Sequence, residues 1–547
     1  MSLEGLTEQE LHELIAKLKK HKKYGIVWEE EKTREIFHFD PLNTYPVLEE
    51  DKKLSITKDG QRNNYLIEGD NFHALSILNY THFEKIDLIY IDPPYNTGNS
   101  DFRYNDNYVE RDDSFKHSKW LSFMKKRLTI ARDLLSDKGL IFMSIDENEF
   151  AHLKLLSDEI FGEKNYVIDI IWNSRKSVSN DAIVSLNHNH TLVYAKNLDV
   201  IRVLTREGKR FKLPIREENY SNPDNDPRGE WQADPFDAPG IRENLTYAIT
   251  NPNTNEEYWP PKGRCWRTTP QEYDRYLSEN RIVFGKTGKS KPQLKRFKSE
   301  ALEKGMAVKS IWDDVDTTTN GTQQLEQILG EKKFNNPKPI NLIQRIIQIG
   351  ADKDSIILDF MAGSGTTGHA VMEQNKLDGG ARQFVLATNN ENEICSEVTY
   401  PRLKKVIEGY KSLSGTKVEA YSENLIYLRT SSIDKINNSD EMKMRMTDRC
   451  KEIICFKENV FHPEKKTAYY ETFTSETKII GIYFAFDPSE YGQFKIDLKQ
   501  PQKESTKAYI FTFDNEFFDD DIFSDSPEIV VEPIPQHILE MLGTTNV

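Results

Sequence analysis

A short apolar run that ends on an acid and two prolines sets the first limit on the fold of this chain. The run, residues 86–91, is rich in β-branched and aromatic side chains and predicts a buried central strand. Pro93 and Pro94 follow Asp92 directly; each proline fixes its own φ and disfavours helix at the residue before it. The sequence therefore predicts a stiff loop at the carboxyl end of a strand, where open α/β sheets bind ligands, with Asp92 and Tyr95 held beside the ligand.

The segments around this loop alternate between strand and helix. Short apolar runs are followed by turns and by stretches with helical periodicity, a spacing typical of βαβ units. The expected fold class is α/β, with a doubly wound and largely parallel sheet. The patterns that support it lie at residues 64–80, 86–91, 119–136, 139–145, 337–350, 355–374 and 383–393.

The composition changes along the 547 residues, which exceed one ordinary domain. From about residue 172 to 310, Pro, Gly, Asn, Asp and charged residues crowd together and predict an inserted, loop-rich domain. Beyond about residue 420, short strand patterns predict a separate α+β region. The expected segments are an N-terminal helical segment at 1–50, two halves of the sheet domain at 51–165 and 311–420, the insertion at 166–310 and a C-terminal domain at 421–547.

The net charge of −15 argues by itself against a nucleic-acid partner, but the charges are unevenly distributed. Residues 281–309 contain nine Lys and Arg against two Glu, whereas residues 514–532 contain eight acids and no base. The basic segment is either a contact for nucleic acid or a solvated face, and the acidic segment is either a docking surface for a protein or a solvated loop.

Composition and cysteine usage narrow the class of protein. The chain has 37% hydrophobic and 29% charged residues, as globular proteins do, and no apolar run approaches the ~18 residues of a membrane span. Its first residues predict an amphipathic helix with a capping box at Thr7 and Glu10 rather than a signal peptide. Four cysteines suggest a reducing compartment. Cys450 and Cys455 lack companions at zinc-ligand spacing, so no metal site is predicted.

A glycine turn in the sequence DFMAGSGTTGHA predicts a second ligand-binding loop. Gly363, Gly365 and Gly368 match G-x-G-x-x-G, which allows a tight turn and close approach of a ligand to a helix N-terminus. A dinucleotide site would use an acid further on, such as Glu391. A phosphate loop would need a lysine where His369 stands. An S-adenosylmethionine site uses the same strand, turn and helix, and the motif alone leaves these alternatives open.

The two motifs together favour one chemistry. An exocyclic amine on a nucleic-acid base is a weak nucleophile because its lone pair is delocalised into the ring. Asp92 would accept one N–H and the Pro93 carbonyl the other, which directs the lone pair at a sulfonium methyl. Tyr95 would stack on a base flipped out of the duplex. An NAD-dependent oxidoreductase is the alternative, but it leaves this loop and the basic segment unexplained.

Five short motifs occur in an order that resembles the β class of amino-group DNA methyltransferases. More closely, they are similar to the methylation (Mod) subunit of type III restriction–modification systems. The resemblance spans roughly residues 60–410 and implies an S-adenosylmethionine-dependent, Rossmann-like sheet with a target-recognition domain inserted between its catalytic and cofactor-binding halves. The motifs are LIEGDNFHALSIL, IYIDPPYNTG, FMSIDENE, FNNPKP and FMAGSGTTGHAV.

The resemblance also implies roles for individual residues. Asp70 would lie near the cofactor adenine, and Asn389, Asn390 or Glu391 would bind its ribose hydroxyls. Lys338 and Pro339 match the family's segment just before the cofactor strand. The implied catalytic loop consists of Asp92, Pro93, Pro94 and Tyr95. The other implied cofactor-binding residues are Asp359, Phe360, Ala362, Gly363, Ser364, Gly365 and Thr366. The implied DNA-phosphate contacts are Lys291, Lys295, Arg296 and Lys298.

The activity that the resemblance implies is methylation of adenine N6 at a specific site in double-stranded DNA. An acid at the first position of the catalytic loop favours adenine, with N4-cytosine methylation as the alternative. A third possibility is a DNA-recognition subunit whose activity depends on a partner. Residues 421–547 would help to form a homodimer or dock a restriction subunit with helicase and nuclease functions. Such a protein acts in the cytoplasm of a prokaryotic cell and has no membrane partner.

Overall fold

The computed structural model describes residues 25–544 except 38, 59, 100, 106, 179–182, 216, 501–502 and 514–522. The predicted N-terminal amphipathic helix and the centre of the acidic segment lie outside the described residues. The chain divides into two compact units. The larger unit takes its described residues from 1–202 and 309–547, and the smaller unit takes them from 203–308.

The larger unit is built around a ten-stranded sheet with the strand order β1-β10-β2-β9-β8-β3-β4-β6-β5-β7, numbered along the chain. The strands are β1 (Thr44–Glu50), β2 (Asn63–Glu68), β3 (Ile86–Ile91), β4 (Leu135–Ile145), β5 (Tyr166–Trp172), β6 (Asn189–Ala195), β7 (Ile311–Trp312), β8 (Ile356–Asp359), β9 (Gln383–Thr388) and β10 (Asn424–Asp434).

Five neighbouring strands in the middle of this sheet, β2-β9-β8-β3-β4, are parallel. The apolar sequence of β3 is buried at every position, as a strand covered on both faces requires. The chain crosses the sheet in one direction from β8 to β9 and in the other from β3 to β4, so the strand order reverses between β8 and β3. Doubly wound sheets bind ligands at such a reversal. The predicted α/β, doubly wound fold is confirmed.

Helices cover the faces of the sheet and extend into the C-terminal region. Among the described residues, none of them combines the length and hydropathy that crossing a membrane requires. The helices of this unit are α1 (Asn71–Thr81), α2 (Lys116–Leu134), α3 (Phe150–Ser157), α4 (Thr318–Leu329), α5 (Ile340–Gly350), α6 (Thr366–Asp378), α7 (Tyr400–Glu408), α8 (Ser439–Arg449), α9 (Lys451–Glu458), α10 (Tyr491–Leu498) and α11 (Gln536–Thr544), and the helix Leu198–Arg206 runs into the smaller unit.

The edges of the main sheet contain strands from outside the two predicted halves. β10 pairs in parallel with β2 and antiparallel with β1. The predicted terminal segments, 1–50 and 421–547, therefore each contribute a strand. β5 and β6 lie within the predicted insertion, 166–310, yet they pair with each other in this sheet, and β6 also pairs with β4. The boundaries of the predicted segments stay predictions.

A second sheet lies in the C-terminal region of the larger unit. Its five strands lie in chain order; the first three are antiparallel and the last three are parallel. Tyr470, Tyr483 and Phe494 pack in a small apolar core on this sheet. The strands are β11 (His462–Lys466), β12 (Tyr470–Thr474), β13 (Lys478–Tyr483), β14 (Ser505–Phe511) and β15 (Ile529–Ile534).

The smaller unit consists of short strands and two helices around an aromatic core. Phe236, Trp266 and Tyr273 are buried in this core. A three-stranded sheet and the helices frame it. The strands are Trp231–Pro235, Gln293–Phe297 and Ile282–Val283, and the helices are Pro270–Ser278 and Lys298–Lys304.

Candidate active site

Polar residues lie close together beyond the carboxyl ends of the five central strands of the main sheet, because these parallel strands all end on the same side. Asp92 follows β3 and Asp359 ends β8, so the predicted catalytic loop and the glycine turn leave neighbouring strands. Asp70 lies just beyond β2, and Asn389 follows β9. The structure therefore brings the predicted site residues of the sheet domain to one edge, on both sides of the reversal in strand order.

Asp92 is held by a lysine from a distant part of the chain. Lys338 Nζ donates a hydrogen bond to Asp92 Oδ2 at 2.5 Å, and the lysine is nearly buried. Asp92 Oδ1 is buried and has no hydrogen-bond partner among the described residues. An acceptor buried without a donor is unfavourable, so Oδ1 is available to a ligand that brings an N–H.

The two prolines present their carbonyls differently. Trp120 Nε1 donates to the Pro94 carbonyl at 2.7 Å and so fixes the end of the loop. Within the described part of the chain, no hydrogen bond reaches the Pro93 carbonyl. The Pro93 carbonyl and Asp92 Oδ1 are therefore two acceptors without donors on one rigid loop.

The Tyr95 ring lies beside the same lysine, with Lys338 Nζ 5.1 Å from the ring centroid. The Tyr95 hydroxyl is buried and makes no hydrogen bond of good geometry in the described residues, although it lies beside the Asp92 carboxylate. Burial raises the pKa of Tyr95 well above its usual value, and the charge of Asp92 adds to this effect. The side chain is therefore a neutral phenol at neutral pH.

The glycine turn connects β8 to α6, and its glycines have two different functions. Gly363 and Gly365 have φ values of 48° and 73°, a left-handed conformation that glycine adopts without strain. Gly368 lies inside α6, where a Cβ atom would come within 2.9 Å of a Leu403 methyl group. The first two glycines therefore shape the turn, whereas the third allows α6 to pack closely.

A buried arginine supports the turn from behind. Arg402 Nη1 donates to Thr366 Oγ1 at 2.7 Å, to the Ser364 carbonyl at 3.2 Å and to Ser364 Oγ at 3.3 Å. Thr366 Oγ1 in turn donates to the Lys338 carbonyl at 3.2 Å, which ties the turn to the lysine that holds Asp92. The side chains of Ser364 and Thr366 are thus engaged within the protein. Sequence reasoning gave neither Lys338 nor Arg402 a specific contact; the NNPKP motif was a signal for the lysine only.

Three other predicted cofactor residues are also turned toward the protein. Asp359 accepts from Thr367 Oγ1 at 2.5 Å and from the Met361 amide at 3.0 Å. Burial raises the pKa of Asp359 to about 7. The Phe360 side chain is fully buried, and the Ala362 amide donates to a carbonyl of β9. These residues shape the turn with side chains that face the interior.

The predicted contacts to cofactor adenine and ribose lie on the outer part of this edge. Asp70 Oδ1 accepts from the Phe72 amide at 2.7 Å and so caps α1. The same oxygen lies 3.2 Å from Arg127 Nη2. Asn389 and Glu391 are exposed, and Glu391 forms a 3.9 Å ion pair with Arg103. The side chains of Asn389 and Glu391 are therefore accessible from solvent, and the Asp70 carboxylate is partly accessible.

In the smaller unit, the structure does not leave Lys295, one of the predicted DNA contacts, open to a ligand. Lys295 is fully buried and its ammonium pairs with Asp226 at 2.9 Å and also with Asp224. A lysine enclosed between two acids cannot reach a phosphate without breaking these pairs. The basic sequence around it gave no sign of these partners, because they lie some 70 residues earlier in the chain.

The other three predicted DNA contacts also have acidic partners in the same unit. Lys291 lies 3.2 Å from Asp237, and Arg296 pairs with Asp234. Lys298 lies 2.8 Å from Glu230 and 2.9 Å from Glu217. Much of the positive charge of the basic segment is therefore neutralised. Within the described residues of this unit, the exposed side chains that form no ion pair include Lys286 and Lys289.

Comparison with known proteins identifies the class to which this fold and this site correspond. Residues 86–398, more than half of the chain, match the family described as DNA methylase. The chain belongs to this family.

Individual relatives include subunits and enzymes of restriction–modification systems. The Mod subunit of the type III enzyme StyLTI from Salmonella typhimurium is 34% identical, over 64% of this chain and 57% of the relative. The EcoP15I Mod subunit from Escherichia coli is 32% identical, over 63% of this chain and 61% of the relative. The type II methyltransferase M.KpnI from Klebsiella pneumoniae is 33% identical, over 68% of this chain and 94% of the relative. The chain thus spans less than two thirds of the length of these Mod subunits but nearly all of M.KpnI.

Proposed function

We propose that this protein transfers a methyl group from S-adenosylmethionine to adenine N6 at a specific site in double-stranded DNA, as the modification component of a restriction–modification system. One observation carries the proposal. Asp92 Oδ1 and the Pro93 carbonyl, two acceptors without donors, lie on the loop that follows β3, and the glycine turn follows the neighbouring strand β8. An amine acceptor pair and a nucleotide-binding turn on adjacent strands fit the alkylation of a base amine.

The residues around the turn fit S-adenosylmethionine. Gly363 and Gly365 present backbone without side chains, while Asp70, Asn389 and Glu391 offer accessible oxygens for the amine and hydroxyl groups of a nucleoside. S-adenosylmethionine supplies an electrophilic methyl group on a sulfonium sulfur. Because the side chains of Ser364 and Thr366 accept hydrogen bonds from Arg402, we expect the turn to hold this cofactor through its backbone.

The loop at Asp92 orients the attacking nitrogen. The two N–H groups of an exocyclic amine donate to Asp92 Oδ1 and to the Pro93 carbonyl, which directs the nitrogen lone pair out of the ring plane. The Asp92 carboxylate stabilises the positive charge that develops on the nitrogen. The nitrogen would take the methyl group as the methyl–sulfur bond breaks and leaves a neutral thioether, and it would then lose one proton, which Asp92 Oδ1 is placed to accept. Tyr95 supplies a ring for stacking on the extruded base.

An assay with isotope-labelled S-adenosylmethionine tests this proposal. Duplex DNA is incubated with the purified chain, digested and analysed by mass spectrometry for the labelled nucleoside. We expect labelled N6-methyldeoxyadenosine from the wild type and none from Asp92→Ala, which should still bind the cofactor because the glycine turn is a separate loop. Labelled N4-methyldeoxycytidine would favour the alternative base.

The partner-dependent alternative has its own outcome in this assay. Cofactor and DNA binding without any labelled product would mean a recognition subunit that needs its partner. The similarity to proteins named as Mod subunits of type III enzymes supports a restriction subunit as that partner. We also infer a homodimer through residues 421–547 and a place in the cytoplasm of a prokaryotic cell, where DNA and the cofactor are found. Sedimentation of the full chain at several concentrations tests the dimer.

A further inference from the structure

Two histidines and a glutamate form a cluster behind the catalytic loop. Glu149 precedes α3 and its side chain is fully buried; His117 lies on α2 and His152 on α3. Glu149 Oε1 is 2.7 Å from His117 Nδ1, and Glu149 Oε2 is 2.8 Å from His152 Nδ1. The two imidazole centroids are 4.5 Å apart. The carboxylate therefore lies between two imidazole nitrogens.

The contacts in this cluster do not account for all of its polar atoms. Glu149 Oε2 and His152 Nδ1 are buried, yet neither makes a hydrogen bond within the described structure, although the two atoms are in contact. Asn96 Nδ2 donates to Glu149 Oε1 at 2.5 Å, while Asn96 Oδ1 is also buried and without a partner. Three polar atoms of the cluster, Glu149 Oε2, His152 Nδ1 and Asn96 Oδ1, are thus buried without a hydrogen bond, which is unfavourable unless a further group such as a cation satisfies them.

We propose that His117, Glu149 and His152 bind a divalent transition-metal ion, with Zn²⁺ as the best fit. Two imidazoles and one carboxylate are ligands that Zn²⁺ prefers, whereas Mg²⁺ and Ca²⁺ prefer oxygen ligands. The three ligand atoms lie within 4.8 Å of one another. Tetrahedral zinc with bonds of ~2.0–2.1 Å places its ligand atoms about 3.3 Å apart, so small side-chain rotations complete the site. A water molecule fills the fourth position.

The cluster contacts Asn96, the residue that follows the catalytic loop, so a bound metal ion would affect the loop. Asn96 follows Tyr95 directly and has a φ of 57°, and its side chain is held by Glu149. A metal ion coordinated by an oxygen of Glu149 would weaken the hydrogen bond between Glu149 and Asn96. The metal would therefore act on the loop through Asn96, and its binding to the cluster does not depend on the proposed function.

Cobalt titration of the full-length, chelator-treated protein tests the site without DNA or S-adenosylmethionine. Tetrahedral Co²⁺ has visible d–d absorption, which added Zn²⁺ should abolish. We expect one saturable Co²⁺ site in the wild type and at least about tenfold weaker binding in His117→Ala and in His152→Ala, because each removes a ligand. The matched control, His462→Ala, changes an exposed histidine on β11 and should leave the titration unchanged.

Two outcomes would overturn the proposal. One is the absence of saturable absorption in the wild type, and the other is absorption that survives in both ligand variants. Circular dichroism and melting in chelator show whether each variant is folded. Where His117→Ala fails to fold, the comparison of His152→Gln with His462→Ala decides the question, since His152 is partly exposed and touches no catalytic residue.

Discussion

At the scale of single residues, Lys338 connects the two loops of the candidate site. Its ammonium holds Asp92, and its backbone carbonyl accepts from Thr366 in the glycine turn. The sequence motif around Lys338 marked the segment but not these contacts. Asp92 lies 246 positions from Lys338 in the chain and Thr366 lies 28 positions from it, so the local sequence does not reveal either contact. Asp92 itself was predictable because the prolines beside it define the loop without help from distant residues.

Replacing Lys338 with methionine should slow methyl transfer by roughly 10²-fold at saturating substrate, because the carboxylate loses the contact that orients it. Single-turnover rates with labelled cofactor measure this loss. The control is Lys338→Arg, which keeps a positive donor and should recover part of the rate. Equal rates for the methionine and arginine variants would contradict an orienting role for the ammonium.

Burial of Asp359 should make the stability of the protein depend on pH. Its folded-state pKa is raised to about 7 by burial, above the ~3.9 of an unfolded aspartate. The folded protein therefore binds more protons than the unfolded chain between these values, and its free energy of unfolding falls as pH rises through this window. The loss amounts to about 1.4 kcal/mol for each pKa unit of difference.

Urea unfolding at several pH values measures this effect, and Asp359→Asn removes it. Asparagine keeps an oxygen for the Met361 amide but has no charge to bury. We expect the variant to lose the decline between pH ~4 and ~7 that Asp359 contributes. A decline of the same size in the variant would assign it to other groups.

At the scale of elements, the smaller unit contains a basic strand whose charges form ion pairs within the protein rather than an open surface for DNA. The strand that contains Lys295 pairs with Trp231–Pro235, and its charges meet acids on neighbouring loops. A count of charges in sequence could not reveal this, because alternate residues of one strand point to opposite faces and partners come from other segments. The strands of the sheet centre, by contrast, were predictable from their apolar runs.

Lys295→Met should destabilise the smaller unit by about 3 kcal/mol, because it leaves the buried carboxylate of Asp226 without its ammonium partner. Trp231 lies with its ring 5.0 Å from Lys295 Nζ, so its fluorescence is a local probe of unfolding. The matched control is the exposed Lys289→Met, which should be neutral. Similar unfolding midpoints for the two variants would contradict the buried ion pair.

The same unit should lose stability in acid. Hydrogen bonds from Arg228 and Lys295 hold the pKa of Asp226 well below its usual range. A lowered folded-state pKa stabilises the protein above the unfolded value of ~3.9, and this contribution is lost as the pH falls below it. Between neutral pH and pH ~3, the free energy of unfolding should fall less in Lys295→Met than in the wild type.

At the scale of the whole molecule, contact between the basic segment and DNA can be tested through salt dependence. Lys286 and Lys289 are exposed and form no ion pair among the described residues, whereas Lys298 is shared between two glutamates. The double substitution Lys286→Ala with Lys289→Ala should reduce the slope of log affinity against log salt by about 2. Lys298→Ala should change this slope by less; an equal change would mean that its ion pairs open on DNA.

The order of strands in the main sheet has a consequence for synthesis on the ribosome. β2 emerges early, but its neighbours in the sheet are β9 and β10, which are translated only after residue 382. At roughly 5–20 residues per second, the nascent chain carries β2 with unpaired edges for some tens of seconds. Both edges of an apolar strand are then open to pairing with other chains. We expect the yield of folded protein to depend strongly on chaperones that bind extended segments during translation.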